Sequence, residues 1–148
     1  MNNGRTGLGG GAVGAMKTLK ILTPLADSLR EAAGVYERYT MKFAKASDYL
    51  LRKHGKAIAD RQHDLKRIAD IGIDLFVGLC VLSRAATLCK APGEQGVQAI
   101  GIARVFAQRA KRRMANIVRR ITRNEDEEMN RMAGFILDQG SYPWDIVS

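Results

Sequence analysis

Proline placement constrains this chain more than any other feature. Only three prolines occur in 148 residues, at Pro24, Pro92 and Pro143. Proline lacks an amide N–H and its ring clashes with the preceding turn, so long uninterrupted helices are permitted only between these points. No intervening segment alternates apolar and polar residues with period two for long enough to make a convincing strand. The apolar residues recur instead at helical spacing.

Thr23-Pro24 is a start signal, because proline is preorganised for a first helical turn. A helix is predicted from about Pro24 to Lys53, with Leu29, Ala33, Tyr36, Thr40, Phe43, Ser47 and Leu50 alternating spacings of four and three. Gly55 is the break, preceded by Arg52, Lys53 and His54, which suit the negative end of the helix dipole. A second helix is predicted from about Lys56 to Lys90, amphipathic through Ile58, Leu65, Ile68 and Ala69. Its stretch Ile71 to Leu82 is apolar nearly all round, and the expectation is a central, most buried helix. Ala91 to Gly96 reads as a loop on turn chemistry.

A third helix is predicted from about Val97 to Arg123. Ile100, Ala103, Phe106, Ala107, Ala110, Met114, Ile117, Val118 and Ile121 fall within one arc. The complementary arc holds Arg104, Arg109, Lys111, Arg112, Arg113, Arg119, Arg120 and Arg123, with no acidic residue among them. Asn124 and Glu127 resemble a capping box for a fourth helix, expected to turn Met129, Met132, Phe135 and Ile136 inward and to stop at Gly140. The fold class is therefore all-α: an antiparallel bundle of three long helices and one shorter C-terminal helix. Residues 24–148 form the helical domain, and the glycine-rich residues 1–23 stand apart from it.

The composition, 46% hydrophobic and 26% charged, is that of a globular chain, and the net charge of +9 favours anionic partners without choosing among them. Cys80 and Cys89 sit nine residues apart in one predicted helix, on opposite faces and ~13 Å apart along its axis, beyond disulfide reach. They read as two buried small apolar residues in a reducing compartment. Gly7 to Gly14 is too polar and flexible for a signal core, and Ile71 to Leu82 falls short of the ~20 residues of a membrane span. The expectation is a soluble or surface-bound protein.

No catalytic centre emerges from the motifs. Gly9, Gly11 and Gly14 spell the dinucleotide fingerprint, but the strand that must feed it is missing. His54 and His63 lack partners at metal spacing and read as surface or helix-end residues, so no metal site is expected. Asp70 and Asp74 lie one turn apart; without the Glu-x-x-His pattern of bundle metal sites, a salt bridge from Asp74 or Arg84 to another helix is the better reading. The basic face of the third helix suits phosphates or anionic headgroups, or simply water. Nucleic acid is disfavoured by the near-absence of interleaved aromatics, Phe106 lying on the apolar side. The remaining candidates are an anionic membrane surface and an acidic protein.

Two blocks carry a family resemblance. The run Leu50 to Ile58, then Gln62, Leu65 to Phe76, and Val81-Leu82-Ser83-Arg84-Ala85, resembles the C-terminal extra domain of very-long-chain-type acyl-CoA dehydrogenases, including their complex I assembly relative. Asn2 to Gly7, with Gly14 beyond, resembles the start of a helix in the catalytic body of the same enzymes. The resemblance covers most of residues 24–139 and weakens along the third helix. It implies an all-helical module that packs on the catalytic body, widens the dimer and favours membrane association.

In such enzymes a long helical stretch separates the two blocks and carries flavin contacts and the glutamate that removes the α-proton of the acyl thioester. Here Lys17 runs almost directly into the extra domain. The resemblance thus implies a truncated or internally deleted product of an FAD-dependent enzyme of fatty-acid β-oxidation, without its base or a full flavin site. Arg5 alone matches the family's arginine near the acyl-CoA site. The implied partners are the catalytic body or a second copy, and the implied location is the bacterial cytoplasm or mitochondrial matrix, with peripheral membrane attachment as an option.

Overall fold

The computed structural model describes residues 27–90 and 93–141. They form α1 (Asp27–His54), a 3-10 helix (Gly55–Asp60), α2 (Gln62–Leu88), α3 (Glu94–Thr122) and α4 (Asp126–Gln139), with no strand among the described residues. The break after α1 falls at Gly55, whose φ of 52° suits a residue without Cβ. The chain does not re-enter an α-helix there, as the sequence pattern suggested. It first makes the 3-10 helix, whose last carbonyl-bonded turn closes Arg61 N–H onto Ile58 O at 3.1 Å.

α1, α2 and α3 pack on one another around a common core. Leu29, Tyr36 and Leu50 of α1, Ile71 and Leu82 of α2 and Met114 of α3 are its largest fully buried side chains. Burial of each such side chain contributes roughly 1.5–3 kcal/mol. α3 enters through small residues: Ala99, Ala103, Ala107 and Ala110 are all buried, which lets its backbone approach closely. The contacts between α2 and α3 run in opposite residue order, Asp74 meeting Arg113 while Cys89 meets Gly96. Those between α1 and α3 run in the same order, Ser28 meeting Arg104 and Glu31 meeting Gln108.

Gly78 marks the tightest approach. A Cβ there would lie 2.0 Å from the Tyr36 ring, so the aromatic face of α1 rests directly on the α2 backbone. The Tyr36 hydroxyl is buried without a hydrogen-bond partner, and burial, reinforced by the Asp74 charge, pushes its pKa up to about 12.

Further sequence expectations are corrected. α2 is buried on one side only, through Asp64, Arg67, Ile71, Leu75, Gly78, Leu82 and Ala85, while Ile73, Phe76 and Val77 stay exposed. By length and composition the whole helix Gln62–Leu88, not only Ile71 to Leu82, is apolar enough to cross a membrane, and its buried side packs on both α1 and α3. α4 contributes no buried residue, and Met129, Met132 and Phe135 are exposed rather than turned inward, with Ile136 half-buried. Asn124 caps the start of α4 as the sequence suggested, its Oδ1 accepting the Asp126 N–H at 3.2 Å. Finally, Cys80 is exposed and Cys89 only half-buried.

Candidate docking surfaces

The basic face of α3 is divided by its partners. Arg113 is not available to an outside ligand: its Nη2 donates to Asp74 Oδ1 at 2.5 Å and its Nε lies 3.1 Å from Asp74 Oδ2. This fork-on-carboxylate contact raises the Arg113 pKa, and it supplies the interhelix salt bridge expected of Asp74. Asp70 pairs within its own helix, accepting from Lys66 Nζ at 2.6 Å, so the two aspartates do not share a site. Arg104 donates from Nε to the Ser28 carbonyl at 3.1 Å, and Arg119 from Nη2 to Asn116 Oδ1 at 2.8 Å. Arg109, Arg112, Arg120 and Arg123 are exposed and make no side-chain hydrogen bond among the described residues. Arg5 and the motif Gly9, Gly11, Gly14 lie outside the described residues, as does Trp144.

A polar node joins α4 to the bundle. Arg67 Nη1 donates to Asp64 Oδ1 at 3.1 Å and to Asp126 Oδ2 at 2.5 Å, while Nη2 reaches Asp126 Oδ1 at 2.6 Å. The Arg67 and Asp126 side chains are only 9% and 14% exposed, so the pair is shielded from water. Hydrogen bonding from Arg67 holds the Asp126 carboxyl below the usual carboxylate range, and the same contact raises Arg67. His54, at the end of α1, is buried as well; its Nε2 stands 3.5 Å from Asp64 Oδ2 without hydrogen-bond geometry. His54 is thus the helix-end residue the sequence suggested, with its side chain turned inward rather than to the surface. Asp64 and Arg67 occupy the same three-and-four stripe as Ile71, Leu75 and Leu82, and that spacing is the signal that could have found them.

Beside the node lies a cleft of about 270 Å³ lined by Asp60, Arg61, His63, Asp64, Asp126 and Asn130. Its carboxylates would repel a pyrophosphate, and its walls hold no aromatic or aliphatic slot for a ring system. A second, apolar-floored groove of about 360 Å³ runs between α1 and α3, where Arg104, Val105, Gln108 and Arg112 face Glu31 and Ala32. Among the described residues no three His, Cys, Asp or Glu side chains gather to hold a metal ion.

Among the described residues, α2 carries an unpartnered apolar surface. At about 100° per residue, Leu65, Ala69, Ile73, Phe76, Val77 and Cys80 fall within one ~120° arc. Ile73 and Phe76 are 60% and 70% exposed. The centre of this arc lies opposite the buried stripe, so α2 is apolar on two faces and the bundle covers one. Sequence reasoning saw apolar residues all round and assumed a neighbour on every side.

The comparisons with known proteins bear on what such a helix belongs to. Residues 27–142 match the family model described as ACAD9/ACADV, C-terminal domain. This chain belongs to the ACAD9/ACADV C-terminal domain family. It is also 31% identical over 108 residues to a probable acyl-CoA dehydrogenase, FadE10, of Mycobacterium bovis. The FadE10 proteins of two Mycobacterium tuberculosis strains match to the same extent. The aligned region is 73% of this chain and 16% of the relative, so the chain spans about one-sixth of the length of the curated relatives it matches. The ACAD9/ACADV C-terminal domain match covers α1 to α4 entire, including the Arg67 node and the outward strip of α2.

Proposed function

We propose that the chain is the helical docking module of an acyl-CoA dehydrogenase-type flavoenzyme, meeting the catalytic body through the outward strip of α2. The observation that supports this most is the second apolar face of α2, directly opposite the one in the core. A contiguous apolar strip on a small domain is characteristic of a protein–protein contact. In this reading the antiparallel three-helix bundle is scaffold. FAD, the glutamate base and the acyl thioester of fatty-acid β-oxidation belong to the catalytic body, and the chain is a fragment or deletion product that retains neither the base nor a full flavin site. Arg5 would be the one residue it shares with the acyl-CoA site, and the working compartment would be the bacterial cytoplasm or the mitochondrial matrix.

The test mixes the chain with an acyl-CoA dehydrogenase body lacking its own C-terminal domain. Co-elution is expected, and Ile73→Asp with Phe76→Asp should abolish it. Co-elution that survives both substitutions, or none with the unaltered chain, refutes the assignment. The purified chain alone should be colourless and inactive on long-chain acyl-CoA; a flavin band retained through gel filtration contradicts the fragment reading.

A second role rests on exposed arginines along and just beyond α3. Arg109, Arg112, Arg120 and Arg123 are placed to attract anionic headgroups, giving peripheral attachment without insertion. Co-sedimentation with anionic vesicles should weaken with salt and vanish when these arginines are neutralised. Equal binding to neutral vesicles would rule the electrostatic account out.

A further inference from the structure

α4 is an unpartnered helix with a surface of the opposite character waiting on the same chain. Isolated helices shorter than ~12–15 residues are marginal in water, and α4 has 14 residues. Beyond the Arg67–Asp126 tether at its first residue, it buries nothing of its own. Met129, Met132 and Phe135 share one face with Ile136, and the first three are 54%, 40% and 46% exposed. Four acidic residues, Asp126, Glu127, Glu128 and Asp138, stand against the single cation Arg131. An acidic helix is repelled by anionic lipid, which argues for a basic protein surface as its cover.

The groove between α1 and α3 has the matching features. Its floor is apolar, through Ala32 and Ala107, and Val105 at its edge is 62% exposed. Arg104 and Arg112 line it, both exposed, and outnumber its one carboxylate, Glu31, which accepts a hydrogen bond from Gln108 Nε2 at 3.1 Å. The two arginines are eight residues apart on α3, about 12 Å, and Glu128 and Asp138 are ten apart on α4, about 15 Å. The long arginine side chains cover that difference. On its own chain α4 fills neither this groove nor any other, being held on the α2 side through Asp126.

We infer that α4 docks into the α1/α3 groove of a second copy of this chain, with Met132 and Phe135 on the apolar floor and Glu128 and Asp138 against Arg112 and Arg104. Two copies exchanging α4 reciprocally make a closed two-fold dimer with two identical contacts. The mode is an amphipathic helix in a groove, with charge complementarity setting the register. This surface is separate from the α2 strip, so the inference stands or falls independently of the docking function proposed above.

Sedimentation velocity of the full chain over a concentration series reads it directly. A reversible dimer is expected, weakened about tenfold or more by Phe135→Glu and by the pair Arg104→Glu and Arg112→Glu. Thermal unfolding of each variant checks that the bundle is intact. The decisive measurement uses charge exchange. The groove variant R104E/R112E and the helix variant E128R/D138R should each be monomeric alone, and their mixture should form a heterodimer. A monomeric unaltered chain at about 100 µM, a dimer indifferent to these substitutions, or a mixture that fails to associate would each overturn the inference. Phe76→Asp on the α2 strip should leave the dimer unchanged.

Discussion

Arg67 reaches two carboxylates from different elements, and its removal has effects distinct from those of removing either partner. Arg67→Ala leaves Asp64 buried without its cation, and a loss of about 3–5 kcal/mol in denaturant unfolding is expected. Asp126→Asn keeps that inner pair and weakens only the tether to α4, so global stability should change less while amide exchange in α4 quickens. The pH dependence has a definite sign. Because Asp126 sits below its ordinary value in the folded chain, its contribution is fully present above the unfolded carboxylate pKa. It is lost as pH falls through the lowered folded value, so α4 should detach on acidification below the usual carboxylate range. Asp126→Asn should flatten that part of the profile. At Tyr36 the unpaired hydroxyl makes an unusual prediction: Tyr36→Phe should be neutral or stabilising by about 1 kcal/mol, since it removes a buried group that has no partner. Gly78→Ala should cost about 1–3 kcal/mol or more, because the new methyl group has no room against the ring.

Among the elements, α2 separates a structural face from a free one. Leu82→Ala, on the buried face, is expected to cost about 2–5 kcal/mol, while Phe76→Ser on the outward face should stay within about 0.5 kcal/mol. Equal effects on thermal unfolding would mean the two faces are not distinct. Periodicity made α1 and α3 legible because each has one dominant apolar arc and that arc meets the core, even though Ile102 and Val105 stand exposed among the arginines of α3. It failed at α2, where apolar residues on every side concealed a second surface. It failed again at α4, because Met129, Met132 and Phe135 establish that a face is apolar without saying what meets it. The Arg67 node was hidden for another reason. Its partners are Asp64, one turn away, and Asp126, 59 positions along the chain, a pairing no local pattern encodes. Asp74 was legible as the carboxylate of an ion pair with another helix, but its partner Arg113 was not, because nothing local to either residue encodes the pairing.

Among the described residues, the three long helices hold one another and leave outward the α2 strip, the exposed arginines of α3, the α1/α3 groove and the α4 face. Family membership indicates the kind of enzyme in which such a module occurs, and the chain spans about one-sixth of the length of the curated relatives it matches. Cys80 lies on the α2 strip beside Phe76 and Val77, with its thiol exposed. The strip thus contains its own chemical reporter. A thiol-alkylating reagent should modify Cys80 readily in the lone chain and slowly once a catalytic body covers it, with half-buried Cys89 as the internal comparison. Occupancy of the surface can then be read as a reaction rate at a single sulfur, without a label being introduced.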